Sequence, residues 1–357
     1  MIGVAVVGLG VGEQHARAYL ATGRCQLRWL YDLEASQACS VAEKLGAGAV
    51  ARCFEQILED PDVQAVSIAS YDDAHFAQVV AALNAGKHVF VEKPLCRTVD
   101  ELLAIKHTWS KYGGKLKLSS NLVLRAAPVY QWLQPKVEAG DFGDLYAFDG
   151  DYLYGRLHKI TQGWRKAVEP YSVMLGGGVH LVDLMLWLIG ERPASVYATG
   201  NRICTENTGF RYYDYVAATL RCPSGLIGRI TANFGCVHRH QHLVRLFGTE
   251  ATFVCDDAGP RLHKRLSQSL SPSVLQSFSP SVLRLGDSAT ERLSDWETLS
   301  LPTLPATKGE LIAPFVSAIL ADADLNAHSQ EIFDVISICA ACDQALQLGS
   351  EVEVRYV

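Results

Sequence analysis

The stretch Gly86-Lys87-His88-Val89-Phe90-Val91-Glu92-Lys93-Pro94-Leu95 decides how this chain is read. A turn glycine leads into a short apolar run, the pattern of a buried strand. Proline cannot donate a ladder hydrogen bond, so the strand is expected to stop at Glu92-Lys93-Pro94. Lys93 then stands at the carboxyl end of a strand, where open α/β sheets bind their ligands. Placed between an acid and a proline, it reads as a proton-handling amine whose pKa falls with desolvation or a neighbouring positive charge.

Upstream, residues 2–7 form a buried strand that runs into Gly8-Leu9-Gly10-Val11-Gly12, and residues 13–22 have helical spacing. Further strands are expected at 26–31, 63–69 and 116–120, with helices at 34–45, 54–58, 75–84 and 98–112. Thr98-Val99-Asp100-Glu101 is a capping box. Strands alternating with helices predict a parallel, doubly wound sheet over residues 1–121.

The pattern changes after about residue 122. Pro128 suits the first turn of a helix, and Pro135 is expected to kink or end it. Strand signals follow at 145–154, 194–203, 213–221, 226–234 and 243–247, with Pro223-Ser224-Gly225 as a hairpin turn and an apolar helix at 179–189. Residues 122–357 therefore read as an α+β domain on a large, mostly antiparallel open sheet, closed by helices at 309–321 and 329–348. Ser271-Pro272-Ser273-Val274-Leu275 recurs as Ser279-Pro280-Ser281-Val282-Leu283 inside a Ser/Pro-rich insertion at about 264–300, to which no chemistry is given.

Composition bounds the function. With 357 residues, 49% hydrophobic and 20% charged, the chain is a globular enzyme of two domains rather than a disordered or membrane protein. A net charge of −6 without blocks of like charge gives no sign of nucleic acid or anionic lipid. No secretory signal or membrane span is read, and the ten scattered cysteines fit reduced, buried thiols in a cytoplasmic protein. Cys339-Ala340-Ala341-Cys342 lies in an apolar helical pattern and reads as packing. His238, His240 and His242 alternate and would share one face of a strand. No fourth ligand can be named, so no metal is predicted, and a sheet face meeting substrate or another subunit is preferred.

Gly8 and Gly10 let a backbone approach a pyrophosphate, and the following helix start, with Val11 and Gly12, offers free N–H donors. Asp32 lies 22 residues past Gly10 at the end of the second strand, placed to accept the ribose hydroxyls and repel a 2′-phosphate. The cofactor expected is NAD, with NADP disfavoured. The third glycine of the usual pattern would fall on Glu13, so the loop reads as one residue short.

At this point the chain resembles the glucose-fructose oxidoreductase / inositol dehydrogenase / MocA family (Gfo/Idh/MocA). The matching pieces are Gly8-Leu9-Gly10 with His15, residues 85–95, Asn121 after the next strand, and Gly178-Val179-His180-Leu181-Val182-Asp183. The resemblance implies a Rossmann domain plus an α/β domain whose open sheet often supports oligomers, here a dimer or tetramer. It also implies hydride exchange between nicotinamide and a hydroxyl-bearing carbon of a sugar, nucleotide sugar or cyclitol. Carried over, Lys93 contacts nicotinamide ribose and substrate, and His180 takes the alcohol proton. Asp183, three residues on, would orient that ring or bind a substrate hydroxyl.

One departure stands out. The family often has an aspartate four residues before the histidine; here that position is Gly176, within a run read as flexible backbone. Lys93 and His180 suffice, or Tyr171, Asp183 or Glu92 fills the gap, or the reaction differs. Ser70, His75 and Glu92 are further cofactor neighbours, with Tyr71 where relatives carry proline. Asn121, Arg125, Trp164 and Tyr171 are expected to line the substrate pocket, with Arg165 beside them. An NAD-assisted glycosidase and a non-catalytic NAD-binding homologue are the alternative readings.

Overall fold

The computed structural model describes residues 1–265 and 294–357. The first sheet is six-stranded and parallel: β1 (Ile2–Val7), β2 (Cys25–Tyr31), β3 (Ala49–Val50), β4 (Ala65–Ile68), β5 (His88–Val91) and β6 (Leu118–Ser120), in the order β3-β2-β1-β4-β5-β6. Helices cover both faces, which is why β1 is buried at every position and reads as an unbroken apolar run. The order reverses between β1 and β4, and that switch point places the Gly8–Gly12 turn beside the loop after β4. Thr98 and Glu101 form the expected capping box at the start of helix Val99–Ser110.

The second sheet has nine strands: β7 (Leu145–Leu153), β8 (Ser195–Asn201), β9 (Tyr215–Arg221), β10 (Ile227–Asn233), β11 (Gln241–Gly248), β12 (Ala251–Asp256), β13 (Gly259–Arg265), β14 (Ser294–Thr298) and β15 (Val352–Glu353). Its order is β14-β13-β12-β11-β7-β10-β9-β8-β15, and only the β7–β10 pair is parallel. Burial alternates along β7, β9 and β11, so one face packs on helices and the other faces outward. The expected turn at 223–225 joins β9 to β10, with Gly225 at φ 95°. β12, β13 and β14 carried no clear sequence signal. The Ser/Pro repeat lies outside the described residues.

Two details correct the sequence reading. Pro135 does not stop its helix, which runs Pro128–Glu138 and holds the proline in its last turns. Gly176-Gly177-Gly178 is not slack backbone: Met174–Gly178 is a buried π-helical turn that continues into helix Val179–Ile189. A side chain at Gly176 would meet the Tyr171 hydroxyl at 2.5 Å, and one at Gly177 would meet the Tyr152 ring at 2.3 Å. The glycines are there because two tyrosines press on the turn.

Helix Ile312–Leu320, late in the chain, returns to the first sheet. Ile312, Phe315 and Val316 join the core around β1, and Phe315 meets Phe90 at 5.5 Å between ring centroids. All ten cysteines are free thiols, with Cys339 and Cys342 buried. Among the described residues no helix is long and apolar enough to cross a membrane.

Candidate active site

The glycine turn is built for close approach. Gly8 has φ 79°, and a Cβ there would strike the Ser70 backbone nitrogen at 2.4 Å. Gly10 is exposed and its Cβ direction opens onto free space. Gly12 opens the helix Gly12–Ala21, where a Cβ would already press Val6 at 3.0 Å and Ala69 at 3.4 Å. Gly12 thus does what the expected third glycine would do, letting the helix pack on the sheet. The first turn has no side-chain cap, leaving N–H donors and the positive dipole end for an anion. Asp32 accepts from Leu9 N at 2.6 Å and from Glu34 N at 3.0 Å, which fixes its carboxylate at the rim of the turn. An open glycine, an uncapped helix start and a fixed carboxylate suit the pyrophosphate and adenosine ribose of a dinucleotide. Lys308 was not singled out from the sequence. Its backbone N–H donates to Gln14 at 2.9 Å, which brings it beside the same helix start.

Lys93 follows β5, and its peptide bond to Pro94 is cis. Its Nζ donates to the Gly176 carbonyl at 3.0 Å, so it is joined to the π-helical turn that leads into His180. Burial lowers the Lys93 pKa, with Arg165 and Lys308 adding to the fall and Asp72 and Glu92 opposing it. Glu92 is desolvated too, yet hydrogen bonds and charge from His15, Lys93 and Asn121 hold it down at about 2. His180 is buried, and its Nδ1 has no hydrogen-bond partner. Burial first, then the charges of Lys93, His242, Lys308 and His240, push its pKa well below the usual histidine value. The ring is a neutral imidazole at pH 7.

Other expected site residues have different roles. Asp183 does not orient His180: it is fully buried and takes three hydrogen bonds from Arg125, at 2.6 to 3.0 Å. Arg125 is correspondingly spent on Asp183 and Glu331 and does not line the substrate pocket. Asn121 is 1% exposed, with its amide nitrogen on Glu92 at 2.6 Å, the Lys308 carbonyl at 2.8 Å and His15 at 3.2 Å. It braces the segment behind Lys93 through its amide nitrogen, while its Oδ1 is buried without a partner. His75 is buried, its ring nitrogens 2.7 Å from the Pro94 carbonyl and 3.1 Å from the Ser70 carbonyl, so it ties two cleft loops together. Ser70 bonds to Gln78 at 2.6 Å and lines the glycine turn through its backbone.

The pocket wall is aromatic. Trp164 stacks on Tyr71 at 4.7 Å, joining the second domain to the loop after β4. Tyr171 is buried with an unpartnered hydroxyl. His242 lies on β11 and His240 just before it. His242 meets His180 at 5.8 Å, and the His240 and His242 rings each pack against Tyr152 at 5.2 Å. His238 precedes the strand and instead lies 3.3 Å from Asp257, so the three histidines do not share one face. Among the described residues no group of three His, Cys, Asp or Glu is arranged for a metal ion. A cavity of about 330 Å³ adjoins the turn, lined by Asp72, Tyr171, Gly176 and Asp343, but Lys93 and His180 do not line it.

A family model described as "Oxidoreductase family, NAD-binding Rossmann fold" matches residues 2–119, and one described as "GFO/IDH/MocA C-terminal domain" matches 130–254. Myo-inositol 2-dehydrogenase of Thermotoga maritima is 24% identical over 262 residues, 71% of this chain and 75% of that protein. The 1,5-anhydro-D-fructose reductase of Ensifer adhaerens is 28% identical over 200 residues, 55% of this chain and 58% of that one. Among solved structures, a levoglucosan dehydrogenase complex with NADH and levoglucosan superposes with TM-score 0.83 at 20% identity, covering 100% of both chains.

Proposed function

The chain belongs to the Gfo/Idh/MocA family of NAD-binding oxidoreductases, and from that premise we propose that it exchanges a hydride with a secondary hydroxyl or keto carbon of a sugar, nucleotide sugar or cyclitol. The observation that carries this reading is the Lys93–Gly176 hydrogen bond. It brings an ammonium from the end of a first-sheet strand to the turn that leads into the helix carrying His180.

NAD fits that loop: Gly8, Gly10, Val11 and Gly12 would hold the pyrophosphate, Asp32 the ribose hydroxyls, and Ser70 and Lys93 the nicotinamide end. When bound it supplies the acceptor for the hydride lost by the carbinol carbon. His180 accepts the hydroxyl proton at a ring nitrogen; as a neutral base it is ready at pH 7. Lys93, with one donor committed to Gly176, directs its remaining N–H bonds and its charge at the developing alkoxide. Glu92, held ionised, and Asn121 keep the Lys93 backbone in place. Gly176 does not signal lost catalysis, because its carbonyl anchors the lysine while the Tyr171 phenol fills the space of the missing side chain. Trp164 and Tyr71 wall the sugar.

The open face of the nine-stranded sheet is proposed to pair subunits, which light scattering would reveal as a mass above one chain. The test of function is direct: incubate the protein with NAD and a panel of cyclitols, sugars and nucleotide sugars, and follow reduced nicotinamide. Reduction by at least one member, lost in Lys93→Met, is expected. No reduction across the panel, or preferred use of NADP, overturns the reading.

A further inference from the structure

The substrate side of the cleft is more positive than a neutral sugar requires. Arg165, in the turn Trp164–Ala167, lies 4.4 Å from the Trp164 ring, and Arg156 lies 5.8 Å from the Tyr154 ring. Neither has an acidic partner among the described residues, where arginines such as Arg125, Arg229 and Arg261 are paired with carboxylates. Tyr154, under Arg156, stacks on Tyr152 at 5.9 Å and meets His240 at 5.8 Å, and the charges of both arginines act on the Tyr152 phenol. Arg156, Lys308 and Lys93 also act together on His240, and Arg165 and Lys308 act on Lys93.

The acids facing these groups are Asp72 and Glu92. Asp72 and Glu92 are thus two carboxylates set against four cations, Arg156, Arg165, Lys93 and Lys308. Lys308, beside the helix start, is accounted for by a cofactor pyrophosphate, and Lys93 by the reacting oxygen. Arg156 and Arg165 remain. Across the Tyr154 ring from Arg156 lies His240, whose Nε2, like both ring nitrogens of His242, is buried without a partner. An unmade buried hydrogen bond costs about 1–3 kcal/mol unless a ligand completes it. Planar guanidinium groups suit carboxylate and phosphate oxygens.

We infer that the sugar bound between Lys93 and His180 carries an anionic group, a carboxylate or a phosphate, held by Arg165 and Arg156 with the His240–His242 pair donating beside it. This rests on the oxidoreductase reading for where the sugar ring lies, and its test does not depend on turnover.

The NADH-bound protein would be titrated with D-glucuronate, D-glucose 6-phosphate and D-glucose, following nicotinamide fluorescence. At least one anion is expected to bind about tenfold tighter than glucose, and which one does so separates carboxylate from phosphate. That preference should shrink to about threefold or less in R165M and in R156M, and should weaken with added salt, while NADH affinity holds. Glucose binding as tightly as both anions, or neither anion binding, overturns the inference. If an anion binds selectively but no sugar of the wider panel reduces NAD, the anion site stands and the dehydrogenase reading falls.

Discussion

Two cations dock on the segment 174–189, and they end differently. Arg125 meets the Asp183 carboxylate with three hydrogen bonds and turns its third nitrogen to Glu331, so each of its nitrogens is held by a protein carboxylate. Lys93 meets one backbone carbonyl, and its neighbours His180, Tyr171, His240 and His242 all have buried polar atoms without partners. Desolvation alone is therefore not what marks the site, since it weighs on both cations. Completion separates them: one centre is saturated by the protein, and the other waits for a ligand's oxygen atoms.

The largest effect should come from the open centre. Lys93→Met is expected to cut turnover about 1,000-fold, and His180→Ala about 100-fold, with thermal melting little changed and NADH still bound. Near-normal steady-state rates in both would break the comparison. At the saturated centre the expectation inverts. Asp183→Ala strands Arg125 in the interior and should destabilise the fold by about 3–5 kcal/mol in urea unfolding. A variant that melts normally but has lost turnover would return Asp183 to the chemistry.

A smaller change tests the turn itself. Gly176→Asp restores the carboxylate that relatives often carry, yet its Cβ would fall 2.5 Å from the Tyr171 hydroxyl. It should cost about 1–3 kcal/mol of stability and lower turnover, because the Gly176 carbonyl shifts away from Lys93. Increased turnover with unchanged melting would mean that Tyr171 yields easily and that the site is an incomplete Lys–Asp–His set.

The difference between the two centres also explains what the sequence made legible. Local patterns carried the first domain: apolar runs, the capping box at Thr98 and the glycine turn each act within a few residues. Lys93 and His180 were legible through their surrounding motifs. The Arg125–Asp183 pairing was not, because the positions are 58 apart and a lone Asp three residues from a histidine looks like its partner on the same helix. The glycine run misled in a similar way, since what it accommodates, Tyr152 and Tyr171, comes from a distant strand and a preceding loop. Lys308 reaches the cleft from far along the chain, and no local signal pointed to it. β12 to β14, on the far side of the second sheet, depend on pairing with their neighbours more than on their own periodicity.

The smallest predicted effect is a pH dependence carried mainly by the open centre, while His328, beside Arg125, is also held down at about 4 by burial and the Arg125 charge. Burial holds His242 down at about 3, with His240 and Lys308 adding to the shift, and His240 lies at about 4. Below an unfolded-state value near 6.5, the unfolded chain binds protons that the folded chain refuses, so stability falls as pH drops from about 6.5 toward those folded values. Asp183 has the opposite sign: burial raises its pKa although Arg125 opposes the rise, so it contributes no loss on the acid side. The melting temperature should therefore decline between pH 6.5 and 4.5, and His242→Leu should flatten that decline. Asp183→Asn should leave its slope unchanged while lowering the whole curve. An acid limb that survives His242→Leu but disappears in Asp183→Asn would place the proton-sensitive strain at the saturated pair and reverse the assignment of the two centres.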